Sequence, residues 1–511
     1  MELWHNIAMG FSVALTPENF LYCLFGAVLG TLVGVLPGLG PVTTIAMLLP
    51  ITFKLSPVAS LIMLSGIYYG AHHAGSTTAI MLNMPGEPTS VVICIDGHPM
   101  ARNGRAGSAL CISALASFFA GCVSVIVIAL FSPALAGVGL LFGPADYASL
   151  IVMALVTASA LSNTSLIKTI AMAVLGLLIG TVGTDVNSGA IRLTFGVYQL
   201  DGGVDFVAAA VGLFAFAEVV MHLSAPEKRV PLSAKIKGLL PTLSDLRMSL
   251  NPILRGTTLG AALGLLPGTG PLVSSYASYA MERRIAKDRS RFGQGAIEGV
   301  AGPEAANNAS ALTHFIPMLT LGIPAGAAMA LMLGALMIQG IEPGPQVIST
   351  HADLFWGVVA SMWIGNLMLL VLNLPMVGVW VRLLMIPYRF LYPTILVFCC
   401  IGVYSVSNST VDVFLAAGFG LFGLVFKILD CPPAPLILGI VLGPMLEEYL
   451  RRALLISGGD PSVFLTRPIS LSMLLVSMVL ILVFHAPALR GRVVQTVSES
   501  SEKSTPGHAK T

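Results

Sequence analysis

GAVLGTLVGVLPGLGP (Gly26–Pro41) and GTTLGAALGLLPGTGP (Gly256–Pro271) are the stretches whose reading decides the fold. The second repeats the first at Gly256, Leu259, Gly260, Gly264, Leu266, Pro267, Gly268, Gly270 and Pro271. In each, an apolar run of helix length stops at Leu-Pro-Gly and restarts after Gly-Pro. Inside a bilayer the backbone breaks only where protein or a water-filled cavity satisfies the freed N–H and C=O groups. Two such breaks at matching places in two halves point to a transporter binding site. Pro37, Gly38, Gly40, Pro267, Gly268 and Gly270 are therefore expected to shape that site.

Composition points to the same setting. The 511 residues are 56% hydrophobic and only 10% charged, whereas soluble domains carry about 25% charged residues. At ~20 apolar residues per span, the runs allow on the order of ten to twelve helices plus shorter broken pieces. A β-barrel would alternate over segments of ~10 residues. These runs are continuous, so the expected fold is an all-α, polytopic integral membrane protein in a lipid bilayer. The net charge of +2 marks no nucleic-acid surface, and the seven cysteines lack metal or disulfide spacing.

The chain divides into a first membrane repeat half (1–240), a second (250–468), an added C-terminal membrane helix (469–487) and a polar, disordered tail (488–511). Leu3, Trp4, Ile7, Phe11 and Leu15 share one helical face, as in an interfacial helix. Thr16-Pro17-Glu18 reads as the start of the first membrane helix. No basic leader with a cleavage site precedes it, so no removable signal peptide is expected. Before Lys54 there is no Lys or Arg. The second copy is flanked by Lys228 to Arg255 and by Arg283, Arg284, Lys287, Arg289 and Arg291. Short basic loops favour the cytoplasm, which predicts repeats of inverted topology. Parallel repeats carrying two simple kinks are the alternative.

Each half holds a second small, polar segment: GAHHAGSTTAIMLNMPGEP (Gly70–Pro88) and GPEAANNASALTHFIPMLTLGIPAG (Gly302–Gly326). Pro85, Gly86, Gly322 and Pro324 permit re-entrant hairpins whose tips offer free backbone groups. Half-helix ends present N–H donors to anions and carbonyls to cations. Ser76, Thr77, Thr78, Asn83, Asn307, Asn308 and Thr320 are the expected substrate contacts, although small hydroxyl residues also serve close helix packing. Glu304, three and four residues before Asn307 and Asn308, is the expected ion or proton ligand. Glu87, Asp96, His72 and His73 stay open between a place on the path and an aqueous-loop or packing role. Asp146 reads as a helix N-cap. No P-loop, H-E-x-x-H or G-x-S-x-G is present. An intramembrane enzyme would therefore rest on unpaired polar residues, and no enzymatic role, metal site or cofactor is expected beyond Na⁺ or H⁺ as coupling ion.

These segments resemble the large membrane subunit of the bacterial tripartite tricarboxylate transporters. The resemblance rests on GVLPGLGP (34–41), YYGAHHAGSTTAIMLNMPGEP (68–88), DGHPMARNGRAGSAL (96–110), GLLPGTGP (264–271), GPEAANNASALTHFIPMLTLGIP (302–324) and QGIEPGP (339–345). Ala74-Gly75 stands where a glycine pair is expected. The resemblance implies a secondary transporter in the bacterial inner membrane, importing organic carboxylates of the di- and tricarboxylate class by Na⁺ or H⁺ symport. It also implies two partners, a periplasmic solute-binding protein and a small membrane subunit. The competing reading is a channel-like or scaffold membrane subunit that couples no ion.

Overall fold

The computed structural model describes residues 2–36, 40–160, 164–185, 188–223, 240–266, 270–376, 378–380 and 388–485. Pro37, Gly38, Pro267, Gly268, most of the connector around 228–237 and the tail 488–511 lie outside the described residues.

The first half holds α1 (Glu2–Ala14), α2 (Pro17–Val35), α3 (Pro41–Thr52), α4 (Pro57–Leu82), α5 (Val91–Met100), α6 (Ala106–Gly139), α7 (Pro144–Ala160) and α8 (Leu166–Gly180). A ninth helix, α9, runs over 206–223 and widens into a π-helical turn at Val211–Phe216. The second half holds α10 (Leu243–Gly264), α11 (Gly270–Ile285), α12 (Glu298–Thr313), α13 (Phe315–Leu321), α14 (Ala327–Ile338) and α15 (Ala352–Asn373). It continues with α16 (Tyr388–Ser407), α17 (Thr410–Ile428), α18 (Pro433–Ile456) and α19 (Pro468–His485). Five of the described helices or helical runs are long and apolar enough to cross a membrane, and seven shorter apolar helices accompany them. One exception to the all-α expectation is a two-residue antiparallel ladder, Gly183–Thr184 with Ile191–Arg192.

Local sequence starts these helices where proline and a hydroxyl coincide. Thr16 accepts from the Asn19 N–H ahead of Pro17, and Ser56 accepts from the Ala59 N–H ahead of Pro57. Asp146 sits in the first turn of α7 and not at its N-cap. It accepts from the Gly143 N–H and pairs with Arg467 at 2.6 Å.

Glycine spacing sets the central packing. Gly26, Gly30 and Gly34 of α2 lie against Met63, Ile67 and Ala71 of α4 so closely that a Cβ would strike backbone. Gly256, Gly260 and Gly264 of α10 lie in the same way against Gly302, Ala306 and Ser310 of α12. Without a hydrophobic drive between helices in lipid, such close backbone approach is what holds them.

The halves interlock. α6 packs on α10, α12 and α13, and α15 packs on α2 and α4. α3 packs on α14, while α11 packs on the turn at Pro88–Ser90. Large apolar side chains such as Leu130, Phe131, Phe398, Phe414, Ile428 and Leu482 point outward, while Glu304, Ser76 and Asn308 are enclosed. That distribution suits a lipid surround.

The polar segments expected to form hairpin tips are helical instead. Residues 70–82 complete α4, and 302–313 lie in α12. Small Gly, Ala and Ser residues let neighbouring helices close on these segments, so their polarity does not break them. The breaks come later. α4 ends where Asn83 enters the left-handed region (φ 55°), and α13 ends where Gly322 does the same (φ 71°). Pro85 and Pro324 follow two residues on in each case.

Candidate functional site

A cavity of about 560 Å³ opens between the two halves. Gly40 and Pro41, at the start of α3, line it opposite Gly270 and Pro271, at the start of α11. Pro85, Gly86 and Glu87, from the break after α4, line it with Ala325 and Gly326, from the break after α13. Thus Gly40 and Gly270, the described ends of the two Pro-Gly clusters, meet both turns at one place. Gly86 fits there because it has no side chain: a Cβ would strike the Gly34 carbonyl at the end of α2.

The ionisable side chains lining the cavity are Tyr68, His72, Glu87, Glu218, His314 and Lys427. Glu87 stands at the N-cap of the short helical turn Pro88–Ser90, where its carbonyl takes the Ser90 N–H at 3.1 Å and its own N–H donates to Ser90 Oγ at 3.4 Å. Thr89 Oγ1 donates to Glu87 Oε1. His72 Nδ1 lies 2.6 Å from that same oxygen, both side chains being almost wholly buried. Gly75 makes the arrangement possible, since a Cβ there would sit 2.7 Å from Glu87 Cγ. The Tyr68 ring meets the His72 ring edge-on at 4.5 Å and also packs on Phe315, next to His314. The Nε2 atoms of His72 and His314 are buried without a hydrogen-bond partner among the described residues. Lys427 of α17 pairs with Glu218 of α9 at 2.8 Å.

A second polar group is fully enclosed. Glu304 is 0% exposed. Its Oε1 accepts from Ser117 Oγ (2.6 Å), Asn308 Nδ2 (3.1 Å) and Ser76 Oγ (3.2 Å), and Ser113 donates to Ser76 at 2.9 Å. Among the described residues, Glu304 Oε2 meets no partner and no arginine bonds to the carboxylate. Three helices, α4, α6 and α12 itself, thus supply the donors to this one carboxylate.

Of the expected contacts, Ser76 and Asn308 are brought to Glu304. Asn307, one residue away, is buried with neither side-chain atom partnered among the described residues. Thr78 Oγ1 and Thr320 Oγ1 bond back to the Gly75 and Ile316 carbonyls of their own helices. Thr77 is buried, and Asn83 is exposed in its left-handed turn. None of these seven lines the cavity.

Of the residues left open, His72 and Glu87 line the cavity, while His73 and Asp96 do not. Asp96 is saturated, its Oδ1 taking the N–H groups of Gly293, Gly295 and Ala296 and its Oδ2 the Tyr279 hydroxyl. It ties α5 to the loop before α12. Sequence reasoning did not single out Ser113, Ser117, His314, Glu218 or Lys427. His314 stood inside a quoted motif. The others are single polar residues whose partners lie far away in sequence.

A model of the tripartite tricarboxylate transporter TctA family matches residues 20–438. A protein of Agrobacterium vitis, described as an uncharacterized 52.8 kDa protein in the TAR-I ttuC' 3' region, is 52% identical over 492 residues, 96% of this chain and 98% of its own length. A second Agrobacterium vitis protein, described as uncharacterized in the TAR-II ttuC' 3' region, is 53% identical over 240 residues, 47% of this chain and 99% of its own length. No solved structure matches the chain.

Proposed function

The chain belongs to the tripartite tricarboxylate transporter TctA family, a family of transporter subunits and not of enzymes, and on that premise we propose that it carries organic carboxylates through the cavity between its halves by ion symport. The observation that carries this reading is the composition of the cavity wall. It is built from corresponding segments of both halves, Gly40-Pro41 with Gly270-Pro271 and Gly86-Glu87 with Ala325-Gly326. Binding sites of secondary transporters lie at such repeat interfaces, where helices are discontinuous. Backbone N–H groups freed at the starts of α3 and α11 suit an anion.

The two units proposed are 1–240 and 250–468, related as inverted repeats. The paired glycine triplets and the reciprocal packing of α6 and α15 support the duplication. Glu304, with Ser76, Asn308 and the unpartnered Asn307, is the proposed ion or proton site. A periplasmic solute-binding protein delivers the carboxylate, a small membrane subunit completes the assembly, and both act at the inner membrane. Na⁺ or H⁺ drives uptake.

Reconstitution tests the reading. Proteoliposomes holding the chain with its small membrane subunit and binding protein are expected to take up a carboxylate saturably. Uptake should collapse when the ion gradient is dissipated. Gradient-independent flux would instead support a channel-like subunit.

A further inference from the structure

We infer that Lys427 and Glu218 form a second carboxylate subsite in the cavity wall. Lys427 leaves Glu218 to bind one carboxylate of a substrate whose other carboxylate lies at the starts of α3 and α11, so the cavity prefers di- and tricarboxylates to monocarboxylates. The inference rests on the carboxylate reading of the cavity and deepens it.

Charge and access single out this pair. Among the described residues lining the cavity, Lys427 is the only lysine or arginine. The helix starts offer an anion backbone N–H groups and no full charge. A second carboxylate therefore has one cation to find. The imidazoles of His72 and His314 do not compete for it, because both Nε2 atoms are enclosed. The Lys427 side chain is 40% exposed and the Glu218 side chain 22%, which leaves the lysine in reach of a solute in the cavity.

The pair is built to exchange. Lys427 Nζ lies 2.8 Å from Glu218 Oε2. An ion pair this exposed adds little to stability, since water screens it and two long side chains must be fixed in place. The lysine ammonium carries three donors on a flexible four-carbon stem. Rotation about that stem takes Nζ from Glu218 to a substrate carboxylate. No covalent bond changes, as one carboxylate replaces another on the same nitrogen.

Nor do α9 and α17 need this bond to stay together. A Cβ at Gly212 of α9 would strike the Ala416 carbonyl of α17, and one at Gly423 of α17 would meet Ala217 and Leu213 of α9. Close backbone approach holds these helices. Lys427 lies one turn beyond Gly423, in the last turn of α17, where the ion pair is free to serve a ligand.

The test is calorimetric titration of the purified full chain with citrate and succinate at about pH 8, where simple carboxylates are ionised. Acetate, the weaker probe, is read by its competition with citrate. In Lys427→Gln, citrate and succinate affinities are expected to fall by about tenfold or more, as when a hydrogen bond to a charged group is lost. Acetate affinity is expected to hold. Lys427→Arg keeps the charge and should keep the preference for citrate over acetate. Glu218→Gln removes the competitor for Nζ and should raise citrate affinity. The thermal midpoint of Lys427→Gln should stay near that of the wild type, because glycine contacts hold the two helices; where that variant does not fold, Glu218→Gln decides. Equal loss of citrate and acetate affinity in Lys427→Gln, or loss of neither, overturns the subsite and leaves the cavity reading standing. So does a citrate affinity unchanged or lowered in Glu218→Gln. Failure of all three probes to bind the wild type overturns the carboxylate cavity itself, and this inference with it.

Discussion

Glu304 is a carboxylate with no access to water, no cation and one oxygen unpartnered among the described residues. Burying a charge in this way costs several kcal/mol unless it is paired, protonated or ion-bound. Three donors on one oxygen offset part of that cost, at about 1.5–3 kcal/mol for each bond to a charged group. The Oε2 side is where a cation or proton would complete the balance. Glu304→Gln keeps the shape and removes the charge. It is expected to reach the membrane at normal levels, to lose gradient-driven uptake, and to alter its cation or pH dependence. Unchanged uptake with unchanged ion dependence would remove Glu304 from the mechanism. Gly75→Ala acts on the other carboxylate: its Cβ would sit 2.7 Å from Glu87 Cγ and displace the capped turn. Carboxylate affinity in that variant is expected to fall at least tenfold, read by calorimetric titration of the purified chain with citrate, while the protein remains folded. The acid Glu304 was legible in the sequence because an acid inside an apolar half stands out. Ser113 and Ser117 were not, because nothing local connects a serine on α6 to a glutamate nearly two hundred residues later. His72 was visible as a residue but not as a site, since only the fold brings Glu87 to its Nδ1.

Among the helices, the α2–α4 and α10–α12 pairs depend on the same device, a glycine every fourth residue facing a backbone. Overpacking a tight contact costs about 1–3 kcal/mol, and a helix pair meeting at backbone distance has no side chain to move aside. Gly30→Val and Gly260→Val should therefore lower the thermal midpoint of the purified chain markedly and similarly. Gly40, where a Cβ would meet open space, serves as the control, and Gly40→Ala should leave that midpoint unchanged. Equal tolerance of all three would show that close approach is not what holds these pairs. The sequence displayed this device openly, since both triplets lie in the quoted phrases. It misplaced the polar segments after them. Small and hydroxyl residues read equally as a hairpin tip or as a packed helix, and the neighbours that decide, α6 and α15, come from the opposite half.

At the scale of the whole chain the open matter is how the two halves are turned. The matching phrases, the paired glycine triplets and the reciprocal packing of α6 and α15 fit duplication, but they fit parallel and inverted repeats alike. Charge separates the two. The first broken hairpin has Lys54 as its first basic residue, whereas the second ends in Arg283, Arg284, Lys287, Arg289 and Arg291. Basic short loops stay in the cytoplasm, so the end of α11 should be cytoplasmic and the end of α3 on the opposite face. Lys54 and Lys287 are both exposed, which makes them suitable reporters. In a chain whose seven native cysteines are replaced, Lys54→Cys and Lys287→Cys would each be labelled in intact cells by a membrane-impermeant maleimide. Labelling of position 54 without lysis, and of position 287 only after lysis, is the expected result. Labelling of both from one side would place the repeat axis along the membrane normal. The cavity would then be flanked by parallel halves, and alternating access could not arise from exchanging the conformations of two inverted units.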